Sequence, residues 1–293
     1  QLLDQTGTEY ILQNDVSSYG TCFAVNGDDI TLNLNGHTVE FYNPPSGDYS
    51  FGVICHPSYV PPDRPASWTG GGNNFKIMNG NIIQAASSTK IADYEFGTMS
   101  HTIYSRSCHN IEISNLTLTA NSNNDATILR LRSIQNAIVK DVIINNNVKT
   151  ILNRHYPGQN SVLIEGGSGE YDIHDIKIYG GPHHGMAIGG DFDSCEVYDN
   201  EIRHDQAYVN GYALSISGDN IDVHNNNIIP ISGRGAHITG TNIKFHHNFL
   251  DLKLGQVIDH TEGQTDYHSI FTNVHGIKLE NSGSMNNRIY SNV

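Results

Sequence analysis

Positive charge is scarce in this chain, with 16 Lys and Arg against 30 Asp and Glu and a formal net charge of -14. Such a surface repels phosphate, which argues against nonspecific binding to nucleic acid or to an anionic membrane. Charged residues of either sign make up only 16% and hydrophobic residues 37%, a profile that does not support long amphipathic helices. No apolar run approaches the roughly 18 residues of a membrane-spanning helix. The chain starts at Gln1 without Met, a signal-like apolar segment or a transit pattern, as expected either of a processed mature form or of an excised portion of a longer chain. Tryptophan is reduced to Trp68. Cysteine is limited to 4 residues, which neither requires nor forbids an oxidising compartment.

What the chain has instead is 29 Gly, abundant Asn and a repeat. The unit is Asn220-Ile221-Asp222-Val223-His224-Asn225, in which apolar and polar residues alternate up to a closing Asn. Close copies end at Asn79, Asn115, Asp141, Asp175, Asp199, His247 and Asn281, and an imperfect first copy runs from Ile30 to Asn35. By subtraction, the closing residues from Asn79 onward are 36, 26, 34, 24, 26, 22 and 34 positions apart. Period-two alternation interrupted by Asn or Gly is a strand followed by a bend. Self-similarity at such a spacing means stacked units.

Each tight coil has three apolar pieces. In one they are Tyr212-Ala213-Leu214-Ser215-Ile216, Ile221-Asp222-Val223 and Asn227-Ile228-Ile229; in the coil before, Met186-Ala187-Ile188, Cys195-Glu196-Val197 and Glu201-Ile202-Arg203. Strands this short cannot form separate cores. Stacking would set equivalent strands roughly 4.8 Å apart in parallel sheets around one interior. The expected fold is all-β: a single-stranded parallel β-helix of about nine coils with three short parallel sheets. It occupies residues 21–293. Residues 1–20 form an N-terminal cap, with Tyr10-Ile11-Leu12 as a short covering strand, and loops are inserted at about 55–74 and 85–98. The closing Asn and Asp residues mark a recurrent bend, because both tolerate left-handed backbone. Cys22 and Cys55 fall in strands of the first two coils and can pair across them, whereas Cys195 occupies an inward column and reads as core.

The opening coil, Ile30-Thr31-Leu32-Asn33-Leu34-Asn35-Gly36-His37-Thr38-Val39, resembles that of the secreted right-handed β-helix repeat proteins of the pectin-lyase-like superfamily, and the likeness covers about residues 21–293. It implies right-handed coiling and an extracellular, carbohydrate-active protein. That superfamily holds lyases, hydrolases, epimerases, phage spikes and binding proteins, so activity has to be argued from side chains. Val257-Ile258-Asp259-His260 resembles the Ile-Asp-His string of pectate lyases without its usual Trp. The Asn-Thr-Asp and Gly-His-Gly signatures of β-helical polygalacturonases are absent. Calcium would suit a pectate-lyase-like mechanism, although no loop of closely spaced carboxylates is present.

If Ile188, Leu214 and Ile238 point inward, the alternate residues of each first strand point outward. Coil by coil these are Tyr104 and Arg106, Arg130 and Arg132, Leu163 and Glu165, Ala187 and Gly189, Ala213 and Ser215, and His237 and Thr239. Arg154 and His155, before the Glu165 coil, and His183 and His184, before the Ala187 coil, overhang the same strip. Arg106, Arg130, Arg132, Arg154, Glu165 and His237 form a candidate binding set for an acidic glycan. Arginine offers a fork to carboxylate, and small residues leave a floor for a sugar ring. In a lyase, one group neutralises the uronate carboxylate and so acidifies the adjacent C–H, and a base removes that proton. His155, His183, His184 and Tyr104 are the candidate bases.

Structural roles compete with each of these assignments. Arg130 and Arg132 can pair with Glu165 in the next coil and only hold the sheet, and Gly180-Gly181-Pro182-His183-His184-Gly185 has the composition of a turn. His204, Asp205, Tyr208 and Arg234 supply a second wall, and His174, Tyr198, His224 and His246 are expected to pack ring on ring. The leading reading is an extracellular polysaccharide lyase acting on an acidic, uronate-containing glycan by β-elimination. A glycoside hydrolase needs two carboxyl groups roughly 5 to 9.5 Å apart, for which Asp191 and Asp193, near Glu165, are candidates, although an Asp after Gly-Gly is also an ordinary bend residue. The third reading is a non-catalytic structural or adhesive protein. The repeat Ile289-Tyr290-Ser291-Asn292-Val293 stops without a cover, which either invites end-to-end self-association of an otherwise monomeric solenoid or marks a chain that continues beyond Val293.

Overall fold

The computed structural model describes residues 1–42, 50–56, 72–85, 100–121, 127–147, 160–181, 183–204, 211–230, 234–251, 275–279 and 287–293. Among them the only regular elements are strands, paired in parallel from Leu2–Leu3 to Arg288–Tyr290. The chain is a parallel β-helix, and three columns of register define its sheets. In the first, Leu129, Val162, Met186, Leu214 and Ala236 stand in line. In the second, Val139, Ile173, Val197, Val223 and Phe245 do so, and in the third Ile144, Ile178, Ile202, Ile228 and Leu250. These residues join one continuous core, with Leu250 packed against it. The strand Val162–Gly180 runs through all three sheets without a break.

The bends explain how one strand can turn and continue. Asn79, Asn115, Asp141, Asp175, Asp199 and Asn225 all have φ between 52° and 62°, the left-handed conformation that Asn and Asp adopt most cheaply among residues with a side chain. His247 takes the same place with φ 52°. Asn281 lies outside the described residues, and the copy expected to end there is displaced: Ile277 and Leu279 are register partners of Ala236 and Ile238 in the first sheet, while Arg288–Tyr290 continues the second sheet and Ser291, with φ 53°, takes the bend. One position after the closing residue runs a second column. Asn200, Asn226 and Asn248 are buried, and their amides bond head to tail: Asn200 Nδ2 donates to Asn226 Oδ1 and Asn226 Nδ2 to Asn248 Oδ1, each at 2.9 Å.

Residues 1–20 contribute more than a covering strand. Glu9–Ile11 pairs with Thr31–Asn33, Leu2–Leu3 with Ala24 and Val25, and Val16–Tyr19 with Val39 to Tyr42. They therefore add a strand to each of the three sheets. The inserted loops fall mostly outside the described residues, at 57–71 and 86–99.

The cysteine pairing differs from the expected one. Register sets Cys55 opposite Val25, three residues beyond Cys22, a shift of about 10 Å along the strand; a disulfide needs Cα atoms within about 7 Å. Cys55 is bonded instead to Cys108, with Cα atoms 6.3 Å apart. Cys22 and Cys195 are free and buried, and burial pushes the Cys22 thiol up to about 11. The bond closes a separation of 53 residues, for which the loss of unfolded-chain entropy amounts to about 4 kcal/mol.

On the outer face of the second sheet the expected ring stack is present and one ring longer. His174, Tyr198, His224, His246 and Tyr290 follow at centroid spacings of 4.9, 5.1, 5.3 and 4.8 Å, with planes within 12° of parallel. Stacked along the axis, the rings turn only their edges outward.

Candidate functional site

The entrance to each first-sheet strand departs from simple alternation. Consecutive N–H groups of Ser161 and Val162 donate to the carbonyls of His184 and Gly185, and those of Gly185 and Met186 donate to Tyr212 and Ala213. This bulge-like step carries Ala213 into the core, where it is fully buried. Ala213 is therefore not on the outer strip, contrary to the simple alternation. Register sets Ser215 and Ser217 level with Ala187 and Gly189. The floor expected of small residues is thus Ala187, Gly189, Ser215 and Ser217, with His237 and Thr239 in the coil beyond.

Two exposed arginines stand in the same column as this floor, one coil removed from it by Glu165. Arg106 and Arg132 are register partners, and both are exposed. Arg130 is committed elsewhere: its Nε and Nη2 donate to Glu165 Oε2 at 2.9 and 2.7 Å. Its guanidinium also lies 5.9 Å from the ring of Tyr104, which is stacked at 5.5 Å on Phe51 and lies 5.2 Å from His101. Tyr104, Arg130 and Glu165 are thereby locked together. Arg154 and His155 lie outside the described residues, as do Asp205, Tyr208 and the Val257 to His260 string.

Histidines wall the floor at the corner between the third and first sheets. His183 and His184 meet edge to face at 4.0 Å. His184 stacks on Tyr212 at 6.0 Å, Tyr212 on His237 at 4.9 Å, and the Arg234 guanidinium lies 5.4 Å from the Tyr212 ring. Asn160 Oδ1 bonds His183 Nδ1 at 3.0 Å and accepts the His184 N–H at 3.2 Å. The Tyr212 N–H donates to His184 Nδ1 at 3.0 Å. His204 is buried next to His183. Asn160 and Tyr212 carried no signal in the sequence, because neither belongs to a repeated column of their own residue type.

Desolvation keeps these rings neutral. Burial holds His183 and His204 down to about 4, and His184 well below its ordinary value, with the neighbouring His183 and His204 adding to the effect. Burial, followed by the charge of Arg130, holds His101 down to about 3. Their folded pKa values lie below the unfolded value of about 6.5, so the unfolded chain takes up protons first as pH falls. Stability is therefore complete above about pH 6.5 and should decline between there and pH 4, by up to about 1.4 kcal/mol per pH unit for each ring. Urea unfolding midpoints measured across this range check the prediction; a flat profile down to pH 4.5 contradicts it.

A groove of about 730 Å³ lies elsewhere. It follows the bend before the second sheet, between Ile138, Tyr171, Glu112, Glu170, Asp172 and Glu196. Glu112 is neutralised by Lys76 and Lys140 at 3.0 and 3.4 Å, but Glu170, Asp172 and Glu196 make the rest acidic, the wrong sign for a uronate. Asp191 and Asp193 are exposed; Asp191 is the register partner of Asp219. Among the described residues no group of three or more His, Cys, Asp or Glu is placed to hold a metal ion.

The described residues define a parallel β-helix whose first sheet carries exposed Arg106 and Arg132 and whose neighbouring corner holds His183 and His184. No family model, curated protein or solved structure matches the chain.

Proposed function

We propose that this chain is an extracellular carbohydrate-active β-helix, akin to the pectin-lyase-like proteins, that binds a uronate-containing glycan along its first sheet and cleaves it by β-elimination. One observation carries the reading: a floor of small residues has exposed Arg106 and Arg132 in its column, beyond the Glu165 coil, and the neutral His183 and His184 at its side. The arginines supply the fork for carboxylates and the histidines the proton chemistry. Elimination needs no pair of free carboxyl groups. This favours it over hydrolysis, because Glu165, the register partner of Gly189, is already engaged by Arg130. The Cys55–Cys108 disulfide supports an oxidising, extracellular setting.

The test is absorbance of unsaturated uronate released near neutral pH from pectate, alginate and glycosaminoglycans, with and without calcium. Release from at least one is expected, and silence from all of them sinks the assignment. Ser215→Trp, which fills the half-exposed floor position between Ala187 and His237, is expected to weaken oligosaccharide binding at least about tenfold, or about 1.4 kcal/mol. Circular dichroism should be unchanged. Unaltered affinity would move the binding surface off this sheet.

A further inference from the structure

The two histidines at the corner touch, yet the bonds on their Nδ1 atoms run in opposite senses. Asn160 Oδ1 accepts the backbone N–H of His184 at 3.2 Å, and this fixes which end of the amide faces the corner, since a backbone N–H can only donate. The same oxygen lies 3.0 Å from His183 Nδ1. An oxygen acceptor requires a proton on that nitrogen, so in the neutral ring of His183 the lone pair sits on Nε2. For His184 the backbone decides the reverse: its Nδ1 accepts the Tyr212 N–H at 3.0 Å, and the ring proton resides on Nε2.

We propose that His183 and His184 are a pair of complementary tautomers, proton acceptor beside proton donor, and that buried Asn160 is the positioning residue that makes His183 the acceptor. The inference rests on the β-elimination reading and assigns its roles. His183 Nε2 takes the proton from the carbon next to the uronate carboxylate. The freed electron pair forms the carbon–carbon double bond as the bond to the leaving glycosidic oxygen breaks. That oxygen then receives the proton from the His183 imidazolium, which returns the ring to its starting state without any cofactor or oxidant. His184 keeps its proton throughout and donates a hydrogen bond to the negative charge that builds on the carboxylate, the kind of interaction that strengthens as the transition state is approached.

Two features fit this division. Asn160 is 2% exposed, so its amide is held by packing and not by solvent. The edge-to-face contact of 4.0 Å between the rings sets both beside a single point at the corner that leads into the Met186–Tyr198 strand. Burial also keeps both rings uncharged at neutral pH, a condition for either to act as assigned.

The tautomers can be read directly on the intact protein from long-range ¹H–¹⁵N correlations of the histidine rings near pH 7. The expected result is His183 protonated at Nδ1 and His184 at Nε2; the same tautomer on both rings, or a proton on His183 Nε2, overturns the pair. In Asn160→Asp a carboxylate faces the ring and stabilises imidazolium. The His183 titration midpoint should then rise by at least about one pH unit, and the acid limb of elimination should move with it. An unshifted midpoint in folded Asn160→Asp removes Asn160 as the positioning residue. If wild-type protein shows the expected tautomers but no elimination, the reaction assigned above fails and its roles fall with it, whereas elimination with the wrong tautomers leaves the reaction and removes only the pair.

Discussion

Alanine in place of His183 is expected to slow release of unsaturated uronate by about 10²- to 10⁴-fold, the range that a positioned general base contributes. The substitution removes the acceptor nitrogen but spares the scaffold: Asn160 Oδ1 keeps the His184 N–H, and the strand that follows, Met186–Tyr198, is set by its register with both neighbouring coils. Far-ultraviolet circular dichroism and oligosaccharide affinity should therefore change little while turnover collapses. The pH dependence of the unaltered protein gives a second check. Because burial holds His183 down to about 4, the ring stays deprotonated far into the acid range. Activity should persist on the acid side until pH falls through about 4, provided it is measured before the chain loses stability. Turnover within about threefold of wild type in the alanine variant would place the base elsewhere on the strip.

The largest effect on stability is expected at Asn226. Its Nδ2 donates to Val197 O at 2.9 Å, His224 O at 3.0 Å and Asn248 Oδ1 at 2.9 Å, while its Oδ1 accepts from Asn200 N at 3.1 Å and Asn200 Nδ2 at 2.9 Å. Asn226→Ala strands these groups inside the solenoid, where each unpaired polar group costs about 1 to 3 kcal/mol. After partial relaxation the loss should be about 3 to 5 kcal/mol. Asn225, next in the chain, is exposed with φ 57°; Asn225→Ala forfeits only the ease of left-handed backbone, about 1 to 2 kcal/mol. Urea unfolding of the two variants should separate these neighbours clearly. Equal destabilisation would mean that the buried amide column carries no special share.

Neighbouring asparagines with such different duties show where the sequence stops being legible. The closing residues from Asn79 to His247 were readable because their signal is local, alternation and then a residue that tolerates positive φ, but alternation alone could not tell that Ile277 to Leu279 belongs to the first sheet. Asn226 recurs with Asn200 and Asn248 one position after the closing residue, but that its side chain is the buried, bonded one of the two is visible only once the coils have stacked. The site divides the same way. Arg106, Arg132, Ala187 and Gly189 could be placed outward by counting in twos. Counting failed at Ala213, because the paired donations at Gly185 and Met186 insert a step that period-two reasoning does not contain.

By itself the sequence determined the solenoid, its left-handed bends and the ring stack from His174 to His246. Each depends on spacing along the chain, and a parallel stack converts equal spacing into contact. Only the tertiary structure decided that Cys55 bonds Cys108, that Arg130 is spent on Glu165, and that Asn160 and the Tyr212 backbone give adjacent histidines opposite tautomers. These are choices among several residues of the right type. They are settled by register between coils and by the direction in which a donor or acceptor faces, quantities that come into existence when one coil is laid upon the next.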